Sequence, residues 1–571
     1  MQGKSDNVHE LTCGELVPGD VVIVDGADHF AVLDASPADE QHVRLTLRAV
    51  HGGPHFHAVY PRRETVLVAA ERVDTSCVPH HVSTGADVEF RDGDRMNVLH
   101  ATRPERDERH YVRHEQTWFA LDGAEAPFDD DRMRSLMAQD PKSLICRHDP
   151  VTRRPRRVVV TGVGAVTPLG GDAATTWQGL LEGRSGVIEL EGEEFAGLDV
   201  RIAAPAAADP MAQLPRSRAR KMSRSAQFAS VAAQEAWADA GFAPDEASEG
   251  RLDGRRVGVS IGCVLGGTTP GLVEANDVMT ERGPGRVSPH TAPMLVPNGA
   301  AAQVSIDLGA RGEARTVVSA CASGTESIGL AIDRIRNGHA DVMVAGGSEA
   351  IITPTLMAAF GAMRALSKGA DGPEKASRPF DEARDGFVVG EGAGLLILES
   401  EEHARARGAR IYCEAAGYGV SADAQDMVRP RQDGAGVVDA LRKALQDADA
   451  APGDVMHVNA HATATSAGDA AEALALRTVF GDGAVPPVTA PKGAMGHLQG
   501  AAGGVEAVAT VLALHHGVIP PTVGCDNPEE GLDLDVVTDA PREAAGDGDV
   551  ALSNSFGFGG HNAVLALRRT A

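Results

Sequence analysis

Cys321 is the residue best placed for chemistry. It stands in Thr316-Val-Val-Ser-Ala-Cys321-Ala-Ser-Gly-Thr325, a short β-branched run that ends in small residues. Beyond it, Leu330, Ile332 and Ile335 recur at spacings that suit a packed helix. The cysteine is therefore expected where a buried strand turns into a helix. There the first unpaired N–H groups point at the sulfur, and the positive end of the helix dipole lowers its pKa. Taken alone, it is better explained as an apolar core cysteine. Three later stretches weigh against that. Asn459-Ala-His461-Ala-Thr463-Ala-Thr465 sets a histidine at a strand end, and Pro491-Lys492-Gly-Ala-Met-Gly-His497 precedes a Gly/Ala-rich helix that carries Glu506. Asn554-Ser-Phe-Gly-Phe558-Gly-Gly-His561-Asn562 is a Gly-rich loop suited to close backbone approach. One cysteine, two histidines and one lysine at Gly-rich strand ends are what a thioester enzyme needs when it uses neither metal nor organic cofactor.

The elements that must position these groups begin at Val158, where strand and helix patterns alternate. Val158–Val160 runs into Gly162-Val-Gly164, whose glycines do not fall as a dinucleotide fingerprint. Gly258-Val-Ser260-Ile-Gly262 has the spelling of a hydrolase elbow, but a loop, not a helix, is expected after the serine. Further strands are expected at Asp341–Glu349 and Leu395–Leu398. Near Ile411 the pattern restarts, with a helix over Val437–Ala448 and a strand over Met456–Asn459. A βα-rich half over 158–410, repeated once over 411–569, brings strand ends from both halves to one cleft.

Residues 1–150 read differently. Val21–Val24, Phe30–Leu33, Val43–Leu47, Thr65–Val68, Val88–Phe90, Met96–Leu99 and Thr117–Leu121 are strand-like runs between turn residues, with a helix around Asp131–Gln139. This is a small β-rich domain, joined by the basic, Pro-interrupted stretch 149–157. Its His51, His55, His57, His80 and His81 lack the cysteine or carboxylate spacing of a metal set, so they read as polar turns and no metal is expected. The 571 residues suffice for two or three domains. A net charge of −27 argues against general nucleic-acid or anionic-membrane binding. Against that background Arg216, Arg218, Arg220, Lys221 and Arg224 form the densest basic cluster, a docking patch for an acidic partner. Seven scattered cysteines without a C-x-x-C pair, no signal-type start and no long apolar run lead to the expectation of a cytoplasmic protein.

The segments around Cys321, His461, Lys492/His497 and Asn554–Asn562 resemble the elongating β-ketoacyl-[acyl-carrier-protein] synthases (types I and II) of the thiolase superfamily. The likeness runs from about Val158 to Arg569 with every signature in order. His461-Ala-Thr, Pro491 before the lysine, and His561 are similar to an actinobacterial subgroup. The resemblance implies a five-layered αβαβα fold and a decarboxylative Claisen condensation of malonyl-ACP with a Cys321-bound acyl chain, in fatty acid or polyketide biosynthesis. It further implies an oxyanion hole from the N–H groups of Cys321 and Phe558, and enolate stabilisation by His461 and His497. Lys492 would pair with Glu506, and Thr463 and Thr465 would hold the phosphopantetheine arm. Phe558 would gate a tunnel lined by Leu265 and Phe360, and Arg220 and Lys221 would contact acyl carrier protein (ACP). No cofactor is implied, because the phosphopantetheine belongs to the ACP substrate. A homodimer is implied, or a heterodimer with a chain-length partner. The alternatives are a malonyl-ACP decarboxylase or scaffold that keeps the same site and, for residues 1–150, a separate partner-binding module.

Overall fold

The computed structural model describes residues 156–570 except 248, 482 and 545–547, and, within 1–155, the backbone of the strands. The chain divides into two compact units, Met1–Arg154 and Pro155–Ala571. Among its described residues the first unit holds two antiparallel sheets, one of six strands and one of five. Val21–Val24, Asp28–Pro37, His42–Ala49 and Thr65–Ala69 lie in the larger sheet. His55 and His57 open the strand His55–Pro61 of that sheet instead of a turn. Val88–Phe90, the helix at 131–139, and His51, His80 and His81 lie outside the described residues.

Ten strands form the main sheet of the second unit: β1 Val158–Val166, β2 Val257–Gly262, β3 Glu313–Val317, β4 Val342–Glu349, β5 Gly392–Ser400, β6 Cys413–Ala422, β7 Val455–Asn459, β8 Val488–Thr489, β9 Val550–Gly557 and β10 His561–Arg568. Their order is β3-β2-β4-β5-β1-β6-β10-β9-β7-β8. Adding five to each label of the first half gives the second half in mirror order, with the same parallel and antiparallel pairings. One β-bulge corresponds as well, at Val160/Gly162 and at Ala415/Gly417. The halves join through β1 and β6, at Val159–Glu414 and Val160–Cys413.

Six helices repeat in the same way: α1 Arg224–Asp239, α2 Gly299–Leu308, α3 Ser323–Arg336, α4 Ala435–Asp447, α5 Ser466–Phe480 and α6 Ala502–His516. Alternate residues of each strand face opposite layers, as the period of two requires. Val342 and Val344 pack outward with α1 and α2, whereas Met343 and Ala345 pack inward with α3 and α6. In the other half Val564 and Ala566 meet α4 and α5, and Leu565 and Leu567 meet the central helices. The result is five layers, α–β–α–β–α.

Gly162 and Gly164 are explained by packing. A Cβ there would lie 2.2 Å from the Ala236 carbonyl oxygen and 2.1 Å from that of Ala232, so α1 can rest on β1 only if these positions stay bare. Gly417 and Gly419 do the same for α4 on β6. On α3 the buried stripe is Ile328, Ile332 and Ile335, and Leu330 is exposed, one helical position away from the expected face.

Candidate functional site

The N-termini of α3 and α6 cross at glycine. A Cβ on Gly324 would come within 2.7 Å of the Gly504 nitrogen, and one on Gly503 within 2.6 Å of the Thr325 nitrogen. This contact brings together what precedes each helix: Cys321 before α3, and Lys492, His497 and Gln499 before α6.

Cys321 sits on a sharp turn after β3. Ala320 has φ 50°, a left-handed conformation uncommon for a residue with a Cβ. Ser323 braces the turn, accepting from the Ser319 N–H at 2.9 Å and donating to the Ala320 carbonyl at 2.6 Å. The Gly-rich turn between β9 and β10 passes so close that a Cβ on Gly557 would lie 2.9 Å from the Cys321 nitrogen. Two backbone N–H groups, of Phe558 and of Cys321 itself, reach the sulfur. The expected lowering of the thiol pKa is reversed. Burial pushes it up to about 12, against the downward pull of Lys492 and those two N–H groups. Helix-end partial charges do not offset full removal from water.

His461 and His497 face each other edge-on, with ring centroids 5.4 Å apart. Burial first, then the Lys492 charge, holds both imidazoles well below the ordinary histidine range, so both are neutral at pH 7. The Gln499 N–H donates to Nδ1 of His497 at 3.3 Å, which places the ring proton on Nε2. That Nε2 is buried and has no partner among the described residues. It is a preorganised donor awaiting an oxygen. Lys492 is buried and ion-paired with Glu506, as expected.

Four supporting residues carried no motif in the sequence. Glu472, buried on α5, accepts from the N–H groups of His461 (2.9 Å) and Ala462 (2.8 Å) and from Nδ2 of Asn554 (2.9 Å). Glu349, at the end of β4, accepts from the N–H groups of Val264 at 2.7 Å and Gly266 at 2.7 Å and so shapes the loop after β2. Gln499 has its Oε1 3.3 Å from the Cys321 sulfur, which donates to it. Phe387 sets its ring edge-on to His497 at 5.7 Å and to Phe360 at 5.4 Å. For the two glutamates and Gln499 the available signal was a carboxylate or amide among small apolar residues, and for Phe387 there was none.

Leu265 and Phe360 pack on one apolar cluster that includes Ile351, Met357, Leu366 and Phe387 and reaches His497 through Phe387. Thr463 and Thr465 are half-buried, their hydroxyls 3.0 Å apart. In the basic stretch Arg218 pairs with Asp307, and Arg224 with Glu391 at 2.7 Å. Arg216, Arg220 and Lys221 are exposed and have no ion pair among the described residues. Ser260 is buried and bonded to Ser327 at 2.9 Å, and a loop follows β2, so it is not a hydrolase elbow.

A neutral histidine pair, a buried Lys–Glu pair and a thiol between two backbone donors, on a duplicated five-layer α/β fold, define an acyl-transferring thioester enzyme. Residues 155–404 match the beta-ketoacyl synthase N-terminal domain, and residues 412–526 match its C-terminal domain. The chain belongs to the β-ketoacyl synthase family. It is 42% identical over 420 residues to the 3-oxoacyl-[acyl-carrier-protein] synthase 2 of Vibrio harveyi, covering 73% of this chain and 99% of that protein. A ketosynthase in complex with its type II polyketide synthase acyl-carrier protein, bound to the hexaketide, superposes with TM-score 0.66 at 33% identity. The ishigamide ketosynthase/chain length factor superposes equally well, with TM-score 0.66 and 33% identity. Each of these two covers 73% of this chain and the whole of its own. Among the described residues, no helix is long and apolar enough to cross a membrane.

Proposed function

We propose that this protein is an elongating β-ketoacyl-ACP synthase, in fatty acid or polyketide biosynthesis, with Cys321 as its nucleophile. The observation that carries the reading is the buried sulfur acted on by the Phe558 and Cys321 N–H groups and linked through Gln499 to His497, whose Nε2–H has no partner among the described residues. The Cys321 thiolate attacks the carbonyl of an acyl-ACP thioester, and the two N–H groups stabilise the oxyanion. The carrier's thiol leaves with a proton and the acyl chain stays on sulfur. Malonyl-ACP then loses its carboxylate as carbon dioxide, and neutral, donating His461 and His497 hold the enolate oxygen. The carbanion attacks the acyl carbon, forming the new C–C bond and releasing the thiolate. Lys492, neutralised by Glu506, sets the field at both imidazoles.

On this reading Thr463 and Thr465 hold the phosphopantetheine arm carried by ACP, and the protein needs no cofactor of its own. Phe558 gates the site, and Leu265 and Phe360 line the acyl pocket. Exposed Arg220 and Lys221, in a chain of net charge −27, supply the attraction for an acidic carrier. A dimer is favoured by β3, the open edge of the sheet, beside exposed Val318 and Ile306. The relative solved with a chain length factor supports a heterodimer as the alternative partnership. The test is intact-mass spectrometry of carrier protein after incubation with malonyl-ACP and a ladder of acyl-ACPs. Product two carbons longer from the wild type, and none from Cys321→Ala, is expected. Acetyl-ACP without elongated product would replace the synthase with a decarboxylase.

A further inference from the structure

Gln499 is buried, adopts φ 49°, and is the one side chain hydrogen-bonded to the nucleophilic sulfur among the described residues. Its two amide ends fare differently. Oε1 accepts the Cys321 thiol hydrogen at 3.3 Å, while Nε2 is buried with no partner among the described residues. Acylation of Cys321 removes the thiol hydrogen, so Oε1 loses its donor as well. An amide that was half satisfied in the free enzyme is then unsatisfied at both ends, unless the acyl chain supplies a partner. Leaving such a group unpaired in the interior is unfavourable, and the ligand that pairs it gains by the difference.

Covalent geometry says where that partner must lie. Amide oxygen and nitrogen are about 2.3 Å apart, so Nε2 lies no more than roughly 5.5 Å from the sulfur. The thioester carbonyl oxygen is taken by the N–H groups of Phe558 and Cys321. Condensation with a malonyl unit leaves the α-carbon without oxygen and places a ketone on the β-carbon, two bonds beyond the thioester carbon, so the β-carbon is the first position that carries an oxygen within reach of Nε2. A β-ketone accepts from Nε2–H, and a β-hydroxyl can accept from Nε2 and donate to Oε1. A saturated chain does neither. We propose that Gln499 is a specificity-determining residue that selects acyl chains oxygenated at the β-carbon, 3-oxoacyl or 3-hydroxyacyl, over saturated chains of equal length. This rests on the reading of Cys321 as the acylated nucleophile. The apolar cluster beyond Phe387 would then take the remainder of a chain that is polar only near its thioester.

The test is the rate of Cys321 acylation, followed by intact mass on the full-length protein, with 3-hydroxyhexanoyl-ACP and hexanoyl-ACP. Wild type is expected to favour the hydroxylated chain about ten- to hundredfold. Gln499→Leu keeps the backbone N–H that binds His497 and removes only the amide, and its ratio is expected to fall to within about threefold of unity. Equal rates in the wild type, as when a water fills the gap, overturn the inference without calling on any variant. A preference that persists in a folded Gln499→Leu overturns it too. If neither chain acylates Cys321 while iodoacetamide still alkylates it, the synthase reading itself fails and the inference falls with it.

Discussion

Glu472→Gln is the sharpest probe of how the fold positions His461. The carboxylate accepts from the His461 N–H and Asn554 Nδ2 on one oxygen and from the Ala462 N–H on the other. Glutamine matches its shape but has a single acceptor oxygen. With that oxygen toward His461 and Asn554, its NH2 group confronts the Ala462 N–H; turned round, it confronts two donors. The first orientation is the less unfavourable, losing one charge-assisted hydrogen bond of about 1.5–3 kcal/mol and opposing two donors. Against this, burial pushes the Glu472 carboxyl above its ordinary range, so the buried charge is itself unfavourable and its removal returns part of the loss. Stability is therefore expected to fall by no more than about 2 kcal/mol. Activity is expected to fall further, because a displacement near 1 Å in a reacting group can slow a step about a hundredfold. Mass spectrometry can time the two half-reactions separately. Acylation of Cys321, which does not use His461 in the proposed mechanism, should stay within about threefold of wild type, while malonyl-dependent condensation should drop by about ten- to a hundredfold. A variant in which both steps fall together with an unchanged melting curve would refute the assignment, and so would one in which neither falls.

Lys492→Met strands a buried carboxylate and should destabilise the fold by about 3–5 kcal/mol in urea melts. Adding Glu506→Gln should restore much of that loss, and strict additivity would show that the pair does not act as a unit. Burial holds the Cys321 thiol up to about 12, so its thiolate fraction grows with pH throughout the neutral range. Iodoacetamide alkylation should climb about tenfold per unit from pH 7 to 9, and a plateau by pH 8.5 would contradict the burial argument. Both imidazoles titrate well below 6.5, so the condensation step should keep its histidines in the working neutral form at pH 6. A histidine-type fall in rate between pH 7 and 6 in that half-reaction would contradict it. Arg220→Glu with Lys221→Glu should raise KM for ACP severalfold at low salt and leave kcat unchanged. The difference should vanish near about 0.5 M salt, where charges are screened over a few ångströms.

The sequence exposed the groups that sit on local motifs. A β-branched run, then small residues, then helical spacing placed Cys321 at its turn, a strand end among alanines and threonines marked His461, and Gly-rich contexts marked Lys492, His497 and Phe558. It could not expose groups whose role is made by long-range packing. Glu472 is eleven residues from His461 and Gln499 is 178 from Cys321, and only the crossing of α3 on α6 gives Gln499 its meaning. The misjudged thiol had the same cause. A helix N-terminus is visible in one segment, whereas complete burial depends on segments from both halves. Leu330 shows the limit of reading periodicity in a helix rich in alanine and glycine, where the small residues do not announce which face is covered.

The duplication explains why the site is lopsided. Cys321 and His497 occupy equivalent places in the repeat, each between the third strand of its half and the central helix that follows, so the crossing of α3 and α6 brings the thiol and the imidazole donor into one site, linked through Gln499. The halves differ in their connections. In the second half the links are short: His461 follows β7 directly before α5, and Gly557–His561 is a tight turn from β9 to β10. Short links hold polar groups rigidly at strand ends, where the sheet fixes their position. In the first half the corresponding links are long, running from Cys263 to Asn298 and from Ala350 to Glu391, and they supply Leu265, Ile351, Met357, Phe360 and Phe387 to one apolar cluster. Length there provides surface to enclose a chain. The second half thus supplies His461, Lys492, His497 and Phe558, and the first supplies Cys321 together with the apolar cluster, and the two sets meet where the Phe387 ring lies edge-on to His497.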